Sequence, residues 1–371
     1  MLYVPPCTEL TTTRWVGTQL DIEEESLKAV RMHGYGGVEQ LLYEDADDPR
    51  LTQPNEVIVE LKAASLNHID IWNRLGATGI AFPMPHILGA DGAGVVVELG
   101  KEVENVKAGD AVCLYPATGC GRCEFCSTGR DLLCISLRAL GERLEGTYAE
   151  YVKLPAQNCF PIPASFSFEQ AAAFPLVCLT LWRMLITNAQ LKPGETLLII
   201  GIGGGVASAA LQVAKNIGAR VIVTSGSDEK LARARQLGAD YGIHHRKKDF
   251  LHEVNLLTEN RGVDVVLDCV AGEVWQKSLG ALARGGRLVT CGATAGGLPN
   301  DDLAAIFSKH LKIYGSTLGS REEFRQLLSF MAVKKIKPVV DSVFPLREAA
   351  AAQERLEGAK QFGKIVLQIA A

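Results

Sequence analysis

Four cysteines fall at Cys120, Cys123, Cys126 and Cys134, a C-x2-C-x2-C-x7-C run. Thiolates are soft ligands, and four of them on one short loop suit a closed, tetrahedral zinc site. Gly119, Gly121 and Gly129 lie among them and permit the tight turns that such a lobe needs. Four thiolates leave no open position on the metal, so the expected role is structural rather than catalytic. The second stretch with chemistry in it is GIGGG, residues 201–205. Gly201, Gly203, Gly204 and Gly205 allow a backbone to approach a pyrophosphate closely. A helix opening there would add free N–H groups and the positive end of its dipole.

The flanks have the character this needs. Residues 197–200 are a short continuous apolar run, as in a strand buried on both faces. Val206, Ala210, Leu211 and Val213 then recur at helical spacing. Strand, glycine turn and helix open a dinucleotide-binding unit. An alternating pattern follows, with strands expected at 220–224, 263–269, 287–291 and 311–316, and helices at 228–237 and 274–282. Gly238 reads as the stop of the first of these helices. This is the pattern of a parallel, doubly wound sheet.

Upstream, strand-like segments at 27–32, 56–63, 94–99, 106–116 and 146–155 are separated by Gly, Pro and Asp clusters, which suggests a largely antiparallel domain. Residues 168–188 are apolar and Ala-rich, a helical stretch interrupted at Pro175. A helix at 321–333 and a strand at 363–369 close the chain, and that last strand is expected to return to the first domain. Residues 1–26 show no periodicity and read as an extension.

A chain of 371 residues suggests about two domains. A formal net charge of −4 offers no nucleic-acid footprint, and no apolar stretch is long enough to span a membrane. The opening MLYVPPCTELTTTRWVG lacks a basic region followed by an apolar core, so a secretory signal is not expected. With four of ten cysteines at metal spacing in a long chain, a reducing, cytoplasmic location is expected.

Six motifs in order carry a family resemblance: LNHID (66–70), PHILGADGAG (85–94), the cysteine lobe, GTYAEY (146–151), the glycine turn, and FGKIVL (362–367). Over residues 27–371 the chain resembles the medium-chain dehydrogenase/reductases, which hold zinc alcohol dehydrogenases and quinone reductases. The resemblance implies an α/β protein in which a Rossmann doubly wound parallel sheet is inserted in a largely β, GroES-like catalytic domain. The division it implies is an extension at 1–26, a catalytic domain at 27–176 and 318–371 with the lobe at 119–135, and a Rossmann domain at 177–317. It implies an active site in the cleft between the two domains and one structural zinc per subunit.

At the catalytic position the chain departs from the zinc enzymes. Where they carry a Cys, a His and a third ligand, it has Asn67, Ala90 and, by alignment, Leu176. None is a credible zinc ligand. LNHID resembles the zinc-free quinone-reductase branch, where an Asn and an Asp occupy these places. An alternative metal site of His68, Asp91 and Cys178 stays open at this point, since a small alignment slip would bring Cys178 in. The expected catalytic set is Asn67 as a hydrogen-bond donor to carbonyl or ribose, Asp70 orienting it, Trp72 walling the cleft, and His68 donating a proton through water. Asp91 is expected to be structural.

The cofactor preference should be set near Ser225, where an NAD site usually carries an acid on the ribose. Ser225 and Ser227 leave room for a 2′-phosphate, with Lys230, His245 and Arg246 as candidate cations. Val206, Gly292 and Ala293 complete the expected cofactor contacts. NADP(H) is therefore favoured over NAD(H). The expected reaction is reduction of a carbonyl, enone or quinone. A zinc alcohol dehydrogenase with atypical ligands and a non-catalytic NADPH-binding protein remain as alternatives. A homo-oligomer, dimer or tetramer, is expected through the strand at 311–316, because an apolar sheet edge left open invites pairing.

Overall fold

Thr196–Ile200 is buried along its whole length and lies inside a sheet, with a strand on each side. Its five residues, TLLII, present β-branched or leucine side chains to both faces, so helices must cover both. The computed structural model describes residues 26–296 and 303–369. The extension read at 1–26 falls, save Ser26, outside the described residues.

The strand belongs to a six-stranded, all-parallel sheet. Its order is Tyr241–His244, Arg220–Ser225, Thr196–Ile200, Val263–Asp268, Leu282–Thr290, Lys312–Gly315. In chain order this is 3-2-1-4-5-6, with the direction of winding reversing between Thr196–Ile200 and Val263–Asp268. Such a reversal opens a crevice at the carboxyl ends of the strands, where ligands of doubly wound sheets bind.

The second sheet is mainly antiparallel, in the order Cys159–Pro161, Ala111–Leu114, Asp91–Leu99, Glu56–Ser65, Lys364–Gln368, Val340–Pro345. Tyr151–Pro155 also pairs with Glu56–Ser65. The last strand of the chain thus lies beside a strand from its beginning, with Val366 opposite Ser65. One pair in this sheet is parallel: Val340–Pro345 and Lys364–Gln368, joined through helix Ala349–Glu357. Neither that helix nor its strand was read from the sequence. Strand Val340–Pro345 is half-buried along most of its length and carries Asp341, Ser342 and Pro345, so no clean alternation marks it.

The stretch read as an interrupted helix at 168–188 is three pieces: Phe168–Ala172, Pro175–Trp182, and a π-helical segment Arg183–Asn188. Pro175 stands at the start of the second helix, where its missing N–H costs nothing. The expected boundary between 176 and 177 therefore falls inside a helix. That helix packs on Gly205–Ile217, and Phe174 at its head meets Phe324 at a ring-centroid distance of 5.1 Å. The core here is shared by both sheets. Among the described residues, no helix is long and apolar enough to cross a membrane.

Candidate active site and metal centre

The lobe brings Cys120, Cys123, Cys126 and Cys134 together, with all four sulfurs within 4.8 Å of one another. Gly121 and Gly129 take positive φ values of 76° and 72°, which a side chain would strain. Gly119 is needed for a different reason: a Cβ there would sit 2.7 Å from Cys126 Sγ. Backbone N–H groups of Arg122 and Cys123 pull the Cys120 thiol down to about 6. Four sulfurs at this spacing fit a zinc ion, which would replace their protons. Among the described residues this is the single group of three or more His, Cys, Asp or Glu close enough to share an ion. The alternative trio of His68, Asp91 and Cys178 does not gather.

The glycine turn follows its strand, and helix Gly205–Ile217 begins at its last glycine. Gly201 has φ +75° and Gly203 φ +153°. A Cβ on Gly204 would meet nothing within 4 Å, so the backbone there is open to an approaching group. Gly205 is crowded: a Cβ would lie 2.7 Å from Lys364 Cδ and 2.9 Å from Val177 Cγ1. Val206 is half-buried at the helix start. The turn fits a pyrophosphate, with open space at Gly204 and a thirteen-residue helix behind it.

Lys364 was not singled out by sequence reasoning. Its side chain is 4% exposed, and its Nζ donates to Asn67 Oδ1 at 2.6 Å and to Asp91 Oδ2 at 3.0 Å. Asn67 Nδ2 also donates to Asp91 Oδ2, at 2.9 Å, and Ser65 Oγ donates to it at 3.2 Å. The other Asp91 oxygen accepts the Leu176 backbone N–H at 2.8 Å. Asp91 is completely buried and is the hub of this network, which joins four separate segments of chain. A buried carboxylate of this kind is tolerated because a cation and neutral donors surround it.

Asn67 is tied into this network: one of its two amide N–H groups goes to Asp91 and its oxygen accepts Lys364 Nζ–H, which leaves the second amide N–H as the donor it can offer. Lys364 has two acceptors for three N–H groups and its stem lies along the glycine turn. FGKIVL was the only signal for it, 297 residues away from its partner Asn67.

Asp70 caps helix His68–Arg74 by accepting the Asn67 backbone N–H at 2.8 Å, and it also accepts Tyr148 Oη–H at 2.8 Å. Burial raises its carboxyl to about 7, against the pull of those two donors. It orients the loop that carries Asn67. His68 is half-buried at the helix start, with its ring 6.2 Å from that of Trp72. Burial, helped by Lys364, lowers its imidazole below the ordinary value, so a neutral ring is favoured at pH 7. Trp72 reaches the other domain: a Cβ on Gly292 would lie 3.7 Å from its Cη2. Ala293 follows at the carboxyl end of Leu282–Thr290.

At the end of Arg220–Ser225, Ser225 is buried and its Oγ accepts the Ser227 N–H at 3.2 Å. Ser227 caps the next helix by accepting the Lys230 N–H at 3.3 Å. Lys230 is engaged beside the glycine turn. Its Nζ donates to Ala359 O at 2.6 Å, and a Cβ on Gly203 would lie 3.1 Å from it. Arg246 and His245 take the corner: a Cβ on Gly226 would be 2.7 Å from Arg246 Nε and 3.1 Å from His245 Nε2. Lys247 is engaged by Asp228 at 2.6 Å.

A doubly wound parallel sheet with a glycine turn at its switch point, joined to a mainly antiparallel domain with a four-cysteine lobe, defines a two-domain nucleotide-dependent oxidoreductase. Comparison with known proteins agrees in detail. Residues 53–164 match the alcohol dehydrogenase GroES-like domain, and residues 205–333 the zinc-binding dehydrogenase domain. An NAD-dependent alcohol dehydrogenase of Sulfolobus acidocaldarius is 35% identical over 92% of this chain and all of its own. A zinc-type alcohol dehydrogenase-like protein of Schizosaccharomyces pombe is 34% identical, over 90% of this chain and 96% of its own. A crystal structure of an NAD-dependent alcohol dehydrogenase superposes with a TM-score of 0.88 at 44% identity, covering 92% of this chain and all of that one. The chain belongs to the medium-chain dehydrogenase/reductase superfamily, and it is an NAD(P)-dependent oxidoreductase.

Proposed function

We propose that the protein reduces a carbonyl, enone or quinone with NADPH and uses no catalytic zinc. One observation carries this reading. Asp91, the carboxylate nearest the expected metal position, is already neutralised by the buried ammonium of Lys364. The remaining positions there are Asn67, Ala90 and Leu176, which bring no metal-binding side chain. The nicotinamide would supply the hydride, and the protein would supply binding, orientation and charge. In this reading Lys364 places its remaining N–H beside the glycine turn. Trp72 and Gly292 form a wall across the cleft, and neutral His68 relays a proton through its ring nitrogens. Asp70 and Tyr148 hold the loop under them.

The preference for NADPH rests on Ser225 in place of an acid and on Arg246 and His245 at the Gly226 corner. Relatives named NAD-dependent weigh against it, so binding of both cofactors has to be measured. The zinc expected in the lobe is structural in this reading. The subunits pair through the edge strand Lys312–Gly315, which has a neighbour on one side only and leaves Ile313 exposed. The test is turnover. Purified protein should oxidise NADPH with at least one member of a panel of aldehydes, enones and quinones, and brief treatment with a zinc chelator should leave that rate unchanged. Cofactor binding without turnover of any panel member would favour a non-catalytic protein. A rate abolished by the chelator while the fold stays intact would favour a zinc alcohol dehydrogenase. Light scattering that gives a monomer mass at all concentrations would remove the pairing.

A further inference from the structure

Two cysteines that play no part in the reading above stand at the carboxyl ends of neighbouring strands. Asp268 and Thr290 are register partners in the parallel sheet, so Cys269 and Cys291 leave it side by side. Their sulfurs are 3.3 Å apart, and both residues are half-buried. Adjacent strands lie about 4.8 Å apart, inside the Cα separation that a disulfide tolerates. The two chain segments beyond them are already tied together. Cys269 O accepts Thr294 Oγ1–H at 3.2 Å, and Ala295 N donates to Val270 O at 2.9 Å.

These segments touch both halves of the expected cofactor site. Val270 packs on the glycine turn, where a Cβ on Gly201 would lie 3.1 Å from Val270 Cγ2. Gly292, next to Cys291, faces Trp72 from the catalytic domain. A covalent link between the sulfurs would shorten their contact by about 1.3 Å, to the S–S bond length of about 2.0 Å. Val270 and Gly292 adjoin the two cysteines, so any adjustment of these segments that accompanies the bond falls on them.

We propose that Cys269 and Cys291 are a reversible thiol pair that a hydroperoxide oxidises to a disulfide, lowering the affinity for nicotinamide nucleotide. The sulfur of Cys291, as thiolate, attacks the peroxide and breaks the O–O bond, giving a sulfenic acid and releasing hydroxide, which is protonated to water. Cys269 then attacks that sulfur. The S–S bond forms, the S–O bond breaks, and a second water leaves with the thiol proton of Cys269. Two thiols are oxidised by two electrons in all, and one hydrogen peroxide is reduced to two waters. A small dithiol reverses the bond by exchange. The neighbouring sulfur of Cys291, with burial, raises the Cys269 thiol well above its ordinary value.

The effect on affinity rests on the dinucleotide reading, so the cross-link and the binding are measured separately. Zinc-loaded protein is treated with hydrogen peroxide, alkylated and digested without reductant. The expected result is a Cys269–Cys291 linked peptide and an NADPH dissociation constant raised roughly tenfold. Dithiothreitol should restore it, with zinc content unchanged throughout. Cys269→Ser and Cys291→Ser, each compared with its own reduced state, should show neither the peptide nor the shift. Oxidation confined to the zinc lobe, or a linked protein that binds NADPH as before, would overturn the proposal. Reduced protein that binds neither nucleotide would sink the dinucleotide reading and the affinity step with it, while the linked peptide alone would still decide whether the thiols pair.

Discussion

The cysteine lobe and the Asp91 pocket lie in the same domain and handle charge in opposite ways. In the lobe, four sulfurs crowd within 4.8 Å, and among the described residues no lysine or arginine side chain is hydrogen-bonded to any of them. Thiolates in that cluster need a cation from outside. In the pocket, Asp91 meets a cation that the chain itself supplies, with Asn67, Ser65 and the Leu176 N–H completing its hydrogen bonds. A metal entering there would have to displace an ammonium held at 3.0 Å. The contrast teaches that a metal site is recognised by uncompensated donors and not by the mere presence of a carboxylate, a histidine and a cysteine nearby.

The contrast breaks most directly at Lys364. Removing it leaves the Asp91 carboxylate buried without its cation, a loss of about 3–5 kcal/mol. Lys364→Ala should therefore lower the urea midpoint sharply. Asp91→Asn in the same background should recover part of the loss, because the charge is gone. A Lys364→Ala variant as stable as the parent would mean that Asp91 is not paying for its burial through this contact.

The matching change in the lobe is Cys123→Ser. Loss of an ion that binds only the folded chain costs about 4 kcal/mol when the ion is present at a thousand times its dissociation constant. Melting temperature and zinc content should fall together, with residual specific activity per folded molecule. Activity lost under an unchanged melting curve would assign the lobe to the chemistry instead.

A smaller effect is expected at the ribose corner. A charge-assisted contact to a phosphate contributes roughly 1.5–3 kcal/mol, or about one to two decades in affinity. Arg246→Ala should weaken NADPH by that factor and leave NADH nearly unchanged. Lys230→Ala should discriminate little, since its Nζ is held by Ala359 O. Ser225→Asp should invert the preference, adding repulsion to the phosphate and an acceptor for the ribose. Calorimetry of the parent with both cofactors sets the baseline, and equal affinities would remove the preference.

The smallest effect is a slope with pH. Burial raises Asp70 from an ordinary 3.8 to about 7, so between those values the folded chain holds a proton that the unfolded chain has lost. Stability from this group is therefore present at low pH and declines as pH rises through about 7. Asp70→Asn cannot ionise, so its melting temperature should lack that decline. Parallel curves for parent and variant between pH 5 and 8 would show that Asp70 is ionised throughout.

The sequence made the lobe and the glycine turn legible because each is local. Ligand spacing and the strand–turn–helix pattern lie within a few dozen residues, and glycines mark the backbone requirement directly. The pocket was only half legible. Asn67 and Asp70 were picked out by their motif, but the hydrogen bonds that decide what Asn67 can do come from Asp91 and Lys364, brought in by strand pairing from distant parts of the chain. Lys230 has a partner that is equally remote in the chain. Its position one turn into the helix was right, yet the Ala359 carbonyl that captures it comes from the loop before the last strand. Strand Val340–Pro345 and helix Ala349–Glu357 escaped because neither carries strong periodicity alone.

The measurement that bears most directly on the central claim is zinc per folded chain, by mass spectrometry of the metal on exhaustively dialysed protein. The account predicts one zinc for the parent and none for Cys123→Ser. Two zincs in the parent, with one retained by Cys123→Ser, would place a metal in the Asp91 pocket and contradict it.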